Sequence, residues 1–318
     1  MSDKAIQVTG LKKRYDSTSA LSSVTFSVEK GEMFGLIGPD GAGKTTLIRI
    51  LTSLLDPDEG TCRLLGISVH EDPKSIRKII GYMPQRFSLY PDLTVGENLR
   101  FFADLFRVPR KERLKKTEEL LEFSRLEPFV KRRAGALSGG MKQKLALSCA
   151  LIHTPEILVL DEPTTGVDPV SRREFWSILK SLKKSGVSIL ITTPYMDEAE
   201  RCDRIALIHH GEILAMGTAR SVIDQFSGSI FSVSGPDLLG LSRWFKRQLR
   251  SDQVRILGDR VQLNLFSSTE KNVSDLVKDA KASGQVIDAF GRENPELEDT
   301  FITLIAEREK RNDQTISS

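Results

Sequence analysis

Alternating apolar and polar positions open the chain. Between about residues 5 and 28 the alternation runs and breaks around a polar turn, Ser17-Thr18-Ser19, which predicts short strands forming an antiparallel β edge. The pattern then changes to compact apolar runs at 33–37, 157–160, 188–192 and 205–208, separated by stretches of helical period. A strand covered on both faces reads as such a run, so the succession predicts a mostly parallel α/β sheet. Leu47, Ile50, Leu51 and Leu54 place a helix over 45–54. Residues 91–136 read as a helical insertion, with Leu99, Phe102, Leu105 and Phe106 on one face and Leu114, Leu120 and Leu121 on another. Its basic runs, Arg110-Lys111-Glu112-Arg113 and Lys131-Arg132-Arg133, read as solvated faces or helix ends.

A different order begins after residue 226. A strand at 230–233, a helix at 238–249, a hairpin at 254–257 and 260–266 turning on Gly258-Asp259, a helix at 272–283 and a strand at 286–290 spell βαββαβ. That is the split-βαβ, ferredoxin-like order, followed by one more helix at 296–310 and a polar tail. The expected organisation is therefore a large α/β domain over 1–226 and a small α+β accessory domain over 227–318.

Composition adds bounds rather than chemistry. With 39% hydrophobic and 28% charged residues the chain is globular, and a net charge of +3 is too small to argue for nucleic acid as a partner. Cys62, Cys149 and Cys202 lack metal-ligand spacing and read as small buried residues of a reduced compartment. No cleavable signal pattern stands at Met1-Ser2-Asp3-Lys4, and the apolar stretches fall short of the roughly 18 residues a membrane span requires, so a cytoplasmic chain is expected.

Chemistry enters at Gly38-Pro39-Asp40-Gly41-Ala42-Gly43-Lys44-Thr45-Thr46, directly after the first apolar run. The spacing G-x-x-x-x-G-K-[ST] turns successive backbone N–H groups toward one point, and the next helix aims its positive end there. A polyphosphate fits, with Lys44 on its β- and γ-phosphates and the Thr45 hydroxyl on Mg²⁺. The run 157–160 ends in Asp161-Glu162, two carboxylates suited to different work: Asp161 to hold the Mg²⁺ shell, Glu162 to polarise the attacking water. Leu137-Ser138-Gly139-Gly140-Met141-Lys142-Gln143 opens a long helix with a hydroxyl and glycine amides, a second anion site by the same logic.

Together these residues, with the run 158–168 (LVLDEPTTGVD), resemble an ATP-binding-cassette (ABC) ATPase over about residues 5–225. The resemblance implies a P-loop NTPase core and a set of roles. Gln85, in Gly81-Tyr82-Met83-Pro84-Gln85, corresponds to the loop glutamine that touches Mg²⁺ and the attacking water. Tyr15 sits where the family stacks a ring on adenine, although edge packing also explains a tyrosine there. Gly166-Val167-Asp168 matches the loop that crosses the dimer interface. Ser138, Gly139 and Gly140 of one copy cap the γ-phosphate held by the other, so the implied unit is a dimer, of identical or of different chains, closed by ATP and Mg²⁺. Transmembrane permease subunits are the implied partners, docked beside Gln85 and the helical insertion on the cytoplasmic face of the membrane; the stretch Phe87-Ser88-Leu89-Tyr90 suits that contact or internal packing equally. Residues 192–200 and Pro295-Glu296-Leu297-Glu298-Asp299-Thr300-Phe301 are similar to the drug-resistance-type exporter group.

Two positions depart from the family. Pro194 stands where a histidine usually contacts the γ-phosphate, and a proline has neither side-chain donor nor backbone N–H. Thr193 could lend a hydroxyl, or Glu162 and Gln85 could position water without help. Asp40 puts a carboxylate in an anion-binding loop, with its side chain expected to point away from the phosphates. The readings that follow are an ATP-hydrolysing exporter subunit, an ATP-dependent clamp or degenerate member of a mixed dimer that hydrolyses little, and a non-transport ABC protein acting on translation or DNA. The absence of a second phosphate loop and of sustained heptads argues against the last.

Overall fold

The computed structural model describes residues 4–86, 89–265 and 273–316. Its contacts divide the chain into two units, Met1–Ala219 and Arg220–Ser318, a division that falls ahead of the boundary expected at 226/227. The first unit runs β1 (Lys4–Tyr15), β2 (Thr18–Glu29), β3 (Met33–Ile37), α1 (Lys44–Leu51), β4 (Glu59–Leu64), β5 (Ile67–Ser68), α2 (Pro73–Ile79), β6 (Ile80–Met83), α3 (Val95–Leu105), α4 (Arg110–Ser124), α5 (Gly139–Leu151), β7 (Ile157–Asp161), α6 (Pro169–Lys184), β8 (Ser188–Thr193), β9 (Arg204–His209) and β10 (Glu212–Gly217).

Two sheets result. The edge sheet, ordered β2-β1-β4-β5, is antiparallel, and its inward residues, among them Ile6, Val8, Leu21 and Phe26, share a core with α1 and β3, where Phe26 stacks on Phe34. The central sheet, ordered β10-β9-β3-β8-β7-β6, is parallel except for the β9–β10 hairpin. Every residue of β3, β7 and β8 is buried, the physical counterpart of their unbroken apolar runs. Strand β6 was not expected: four residues broken by Gly81 carry too little pattern, and pairing with β7 makes the strand.

Other differences have local causes. Helix α1 stops at Leu51 rather than Leu54, because the Thr52 hydroxyl donates back to the Ile48 carbonyl (2.9 Å), Ser53 turns left-handed (φ 55°), and Leu54 is left exposed. In the insertion Leu99 and Leu121 are buried, but Leu105 and Leu114 face solvent. His153, in the turn after α5, stacks on Phe106 and meets the Ile80 carbonyl oxygen through Nε2 (2.8 Å), and its burial lowers its pKa. All three cysteines are buried and free, as expected, and burial pushes the Cys62 thiol up to about 12. Phe87 and Ser88 lie outside the described residues.

The second unit contains α7 (Ala219–Ile223, all but its first residue), β11 (Ser229–Ser234), α8 (Leu238–Gln248), β12 (Val254–Leu257), β13 (Arg260–Leu265), α9 (Val273–Ala282), β14 (Ala289–Glu293) and α10 (Leu297–Ile316). Its sheet is ordered β12-β13-β11-β14 with every neighbour antiparallel, so the third strand of the βαββαβ set lies between first and second and the fourth beside the first, the ferredoxin-like arrangement. Val233, Leu241, Phe245, Val261, Leu263 and Leu276 form its core. The last strand starts at Ala289, later than expected, because Gly284 turns the chain left-handed (φ 90°) and pairing resumes only where Asp288 N–H donates to the Ser234 carbonyl (2.9 Å). Phe266 and Asn272, the expected ends of the hairpin and of the next helix, are outside the described residues.

Candidate functional site

The loop 38–43 leaves β3 where Gly38 N–H donates to the Thr193 carbonyl at the end of β8 (3.3 Å). It is clamped from behind by the β9–β10 turn, whose Gly211 N–H donates to the Ala42 carbonyl (3.0 Å). Gly43 is obligatory: it is left-handed (φ 103°), and a Cβ there would lie 2.4 Å from the Ala20 carbonyl oxygen. No side chain caps α1 at Gly43, so the first amides of that helix keep their donors for an anion. Lys44 is buried and donates through Nζ to the carbonyls of Gly38 (2.7 Å) and Pro39 (2.9 Å) while ion-pairing with Glu162 Oε1 (3.0 Å). Asp40 is exposed at the loop tip.

Strand β7 delivers the two carboxylates into one buried site. Asp161 accepts the Thr192 hydroxyl (2.8 Å) and a hydrogen bond from Thr45. Burial raises its pKa; the Thr192 and Thr45 bonds oppose that rise and neighbouring Glu162 adds to it. Glu162 turns left-handed (φ 49°), its N–H donating to Thr192 Oγ1 (3.0 Å) and to the Thr192 carbonyl (3.2 Å). Its Oε2 accepts Gln85 Nε2 (2.8 Å) and the Thr165 hydroxyl (3.4 Å). Thr45, Asp161 and Gln85 thus offer hydroxyl, carboxylate and amide oxygens, a hard donor set that fits a Mg²⁺ retaining waters and phosphate ligands.

Beyond this cluster, Ser138 caps α5 by accepting Met141 N–H (3.3 Å), with Gly139 exposed beside it. Gly140 must lack a side chain, since a Cβ would lie 2.3 Å from Ser171 Oγ of α6. Asp168 caps α6 through Val170 N–H (3.1 Å) and Ser171 N–H (2.9 Å), bonds that hold its carboxyl below the usual range. After β8, Pro194 is partly exposed, and the buried Thr193 hydroxyl accepts Tyr195 N–H (3.1 Å). The turn Met196–Arg201 is anchored by Glu198, fully buried, whose Oε1 accepts from Thr164 Oγ1 (2.8 Å), Arg172 Nε (2.6 Å) and Trp176 Nε1 (2.8 Å).

Comparison with known proteins agrees with this geometry. A family model described as ABC transporter matches residues 21–165. The Nod factor export ATP-binding protein I of Ralstonia nicotianae is 42% identical over 238 residues, 74% of this chain and 74% of that protein. The chain belongs to the ABC transporter family. It is also 40% identical over 310 residues to the probable multidrug ABC transporter ATP-binding protein YbhF of Escherichia coli, covering 96% of this chain but 53% of that protein, so it spans about half that relative's length. Among solved structures, an ATP-binding subunit of an ABC transporter superposes with a TM-score of 0.64 at 33% identity over 70% of this chain and 93% of the other. The dimeric cassette MJ0796 bound to ADP and Pi gives 0.61 at 29% identity over 67% and 98%.

Within this cassette Lys44, Thr45, Gln85, Asp161 and Glu162 share one network of polar contacts, while Ser138 and Asp168 cap their own helices. Tyr15 is 44% exposed at the end of the β1–β2 hairpin, opposite Thr18. Three residues of the site were not singled out from sequence. Thr192, Thr165 and Glu198 act through side chains whose partners lie 22 to 34 positions away or across a tight turn, and threonine after an apolar run is unremarkable until its strand is placed beside β7.

Proposed function

We propose that the chain binds and hydrolyses Mg²⁺-ATP and passes the resulting motion to separate transmembrane subunits of an exporter. The observation that carries this reading is the direct meeting of Lys44, Gln85 and Glu162 beside Asp161 and Thr45. The loop 38–46, comprising Gly38, Pro39, Asp40, Gly41, Ala42, Gly43, Lys44, Thr45 and Thr46, cradles the phosphates with its N–H groups, and Tyr15 stacks on adenine. An arriving γ-phosphate competes with Glu162 for the Lys44 ammonium. When Lys44 turns to the phosphate, Glu162 Oε1 is freed to take the proton of a water that Gln85 orients. Thr45, Asp161 and Gln85 hold Mg²⁺, which supplies neutralisation of the phosphate charge. Ser138, Gly139 and Gly140 of a second cassette chain close over the γ-phosphate, so hydrolysis opens the pair.

No helix among the described residues is long and apolar enough to cross a membrane; the assignment of the pore to separate subunits rests on the family to which the chain belongs. A cavity of about 880 Å³ lined by Tyr82, Met83, Pro84, Phe102, Leu105 and Phe106, next to Gln85 in the chain, suits the cytoplasmic end of such a partner, which supports a peripheral position on that face of the membrane. The export-named relatives and the run 295–301 support the exporter branch. The test is steady-state hydrolysis of Mg²⁺-ATP, with Glu162→Gln expected to lower the rate by about a hundredfold or more; equal rates would sink the reading.

Pro194 favours one second reading, a clamp that closes on ATP and hydrolyses little, alone or beside a histidine-bearing sibling. It requires the native chain to match Glu162→Gln in rate while still dimerising on ATP.

A further inference from the structure

The cavity of about 880 Å³ beside Tyr82 carries a charge pattern that its apolar lining does not explain. Met83, Leu89, Phe102 and Ala150 line it, as do Leu54 and Leu105, which are left 60% and 59% exposed. Four cations share the lining, Lys74, Arg77 and Lys78 of α2 and Arg107 after α3, and among the described residues no carboxylate does. All four are exposed, and none is held in an ion pair among the described residues. Asp72 caps α2 by accepting Ser75 N–H (3.1 Å), which together with nearby Lys78 and Lys74 holds its carboxyl below the usual range, and it stands outside the lining.

Two of these cations are placed against local preference. Lys74 is the second residue of α2, in the turn where the helix dipole disfavours positive charge. Arg107 is left-handed (φ 55°) just past α3, where its N–H donates to the Asp104 carbonyl (3.0 Å) and Val108 N–H to the Ala103 carbonyl (2.9 Å), a helix ending that favours glycine. Lys74, Arg77 and Lys78 follow the i, i+3, i+4 spacing of one helix face, opposite buried Ile76. The negative end of α2 accounts for Arg77 and Lys78 by themselves, but not for a set that also takes in Lys74 and Arg107.

Unpaired cations around an apolar hollow match an occupant that brings apolar groups and negative charge together. We propose, resting on the reading that a transmembrane subunit docks here, that its docking element is an amphipathic helix whose apolar face fills the hollow and whose flanks set Asp or Glu side chains against Lys74, Arg77, Lys78 and Arg107. The same charges reject a subunit with lysine or arginine at those flanks, so the cavity chooses its partner as well as holding it. A bilayer surface has the negative charge but is too broad to enter the hollow, and it leaves the apolar lining uncovered.

The test is fluorescence anisotropy of the full chain without nucleotide against three labelled synthetic helices of about 15 residues, long enough for some four turns, with leucines at helical spacing and glutamate, glutamine or lysine at the flanks. At low salt the glutamate peptide is expected to bind about tenfold tighter than the glutamine peptide, since each partly exposed ion pair adds about twofold, and the lysine peptide to bind weakest. Added salt should shrink that preference, and the triple variant Arg77→Gln, Lys78→Gln, Arg107→Gln should abolish it. The double variant Leu54→Gln, Leu105→Gln, at two exposed positions, should weaken all three peptides. Equal binding of the glutamate and glutamine peptides, with both weakened by the leucine variant, would overturn the acidic partner and leave docking at this cavity standing. Binding untouched by the leucine variant would overturn docking here and the proposal with it, as would binding of none of the peptides. Capture of the chain by phosphatidylglycerol vesicles, without selection of the glutamate peptide, would overturn it in favour of the bilayer. A chain that selects the glutamate peptide but matches Glu162→Gln in hydrolysis keeps the acidic partner and loses the motor, so the two failures are distinct.

Discussion

Thr192 is the residue on which both carboxylates lean, and Thr192→Val isolates its contribution. Valine keeps the shape and the β-branched fit to β8, and removes only a hydroxyl that donates to Asp161 Oδ1 (2.8 Å) and accepts Glu162 N–H (3.0 Å). The Glu162 N–H is not orphaned, because it keeps the Thr192 carbonyl at 3.2 Å. What is lost is one buried hydrogen bond to a carboxylate, worth about 1.5–3 kcal/mol while Asp161 is ionised. The same loss removes the strongest force opposing the rise of the Asp161 pKa. The expected result is about 2 kcal/mol of destabilisation at neutral pH, shrinking as acid protonates Asp161, together with a several-fold higher Mg²⁺ requirement for hydrolysis. Urea unfolding followed by Trp176 fluorescence in a Trp244→Phe background reads the first unit alone, at pH 7 and near pH 4, and hydrolysis against Mg²⁺ concentration reads the site. A cost equal at both pH values, or an unchanged Mg²⁺ requirement, would refute the assignment of Thr192 to the Asp161 carboxylate.

Asp161 itself should exchange stability for function. Its folded pKa lies above its ordinary 3.8, so in the window just above 3.8 the folded chain keeps a proton the unfolded chain has lost, and stability falls as pH rises through it. Asp161→Asn should therefore melt higher than the native chain at pH 7, with the gap closing toward about pH 4, and should lose Mg²⁺-dependent hydrolysis; a lower melting point at pH 7 contradicts the burial account. Glu198→Ala leaves Thr164, Trp176 and the Arg172 guanidinium without their shared acceptor and should cost about 3–5 kcal/mol in chemical denaturation. Glu198→Gln should recover most of that, since all three donors address the single oxygen Oε1; equal losses would mean the charge matters rather than the geometry. Pro194→His should raise turnover if a missing γ-phosphate donor limits the native rate, and an unchanged or lower rate places the limit elsewhere.

The readable parts of this chain are those whose physics is local. The loop 38–46 carries glycines and a lysine at fixed spacing, the pattern that the proposed binding by consecutive backbone groups requires, and the buried strands announce themselves because both faces are covered. The second unit was legible for the same reason: its elements alternate period within short stretches, and the antiparallel order follows from hairpin and crossover rules. What stayed hidden depends on register between distant segments. Strand β6 exists through its pairing with β7, and Thr192 reaches Asp161 only because β7 and β8 align Asp161 with Thr192.

The Lys44–Glu162 pair is the deepest such case, and it changes how the site is understood. Sequence assigns each residue a separate job, one for the phosphate and one for the water. At 3.0 Å in a buried setting each instead occupies the other, so the ammonium is unavailable as a free charge and the carboxylate is unavailable as a base. Under the proposed roles, an anion able to reach Lys44 is what would release Glu162 as the base, which would tie activation to the presence of the phosphate to be cleaved. Lys44→Ala would break that tie from the other side: Glu162 would be buried without its cation and the phosphate would lose its main charge partner, so the variant should lose both nucleotide affinity and turnover while Glu162→Gln loses turnover alone.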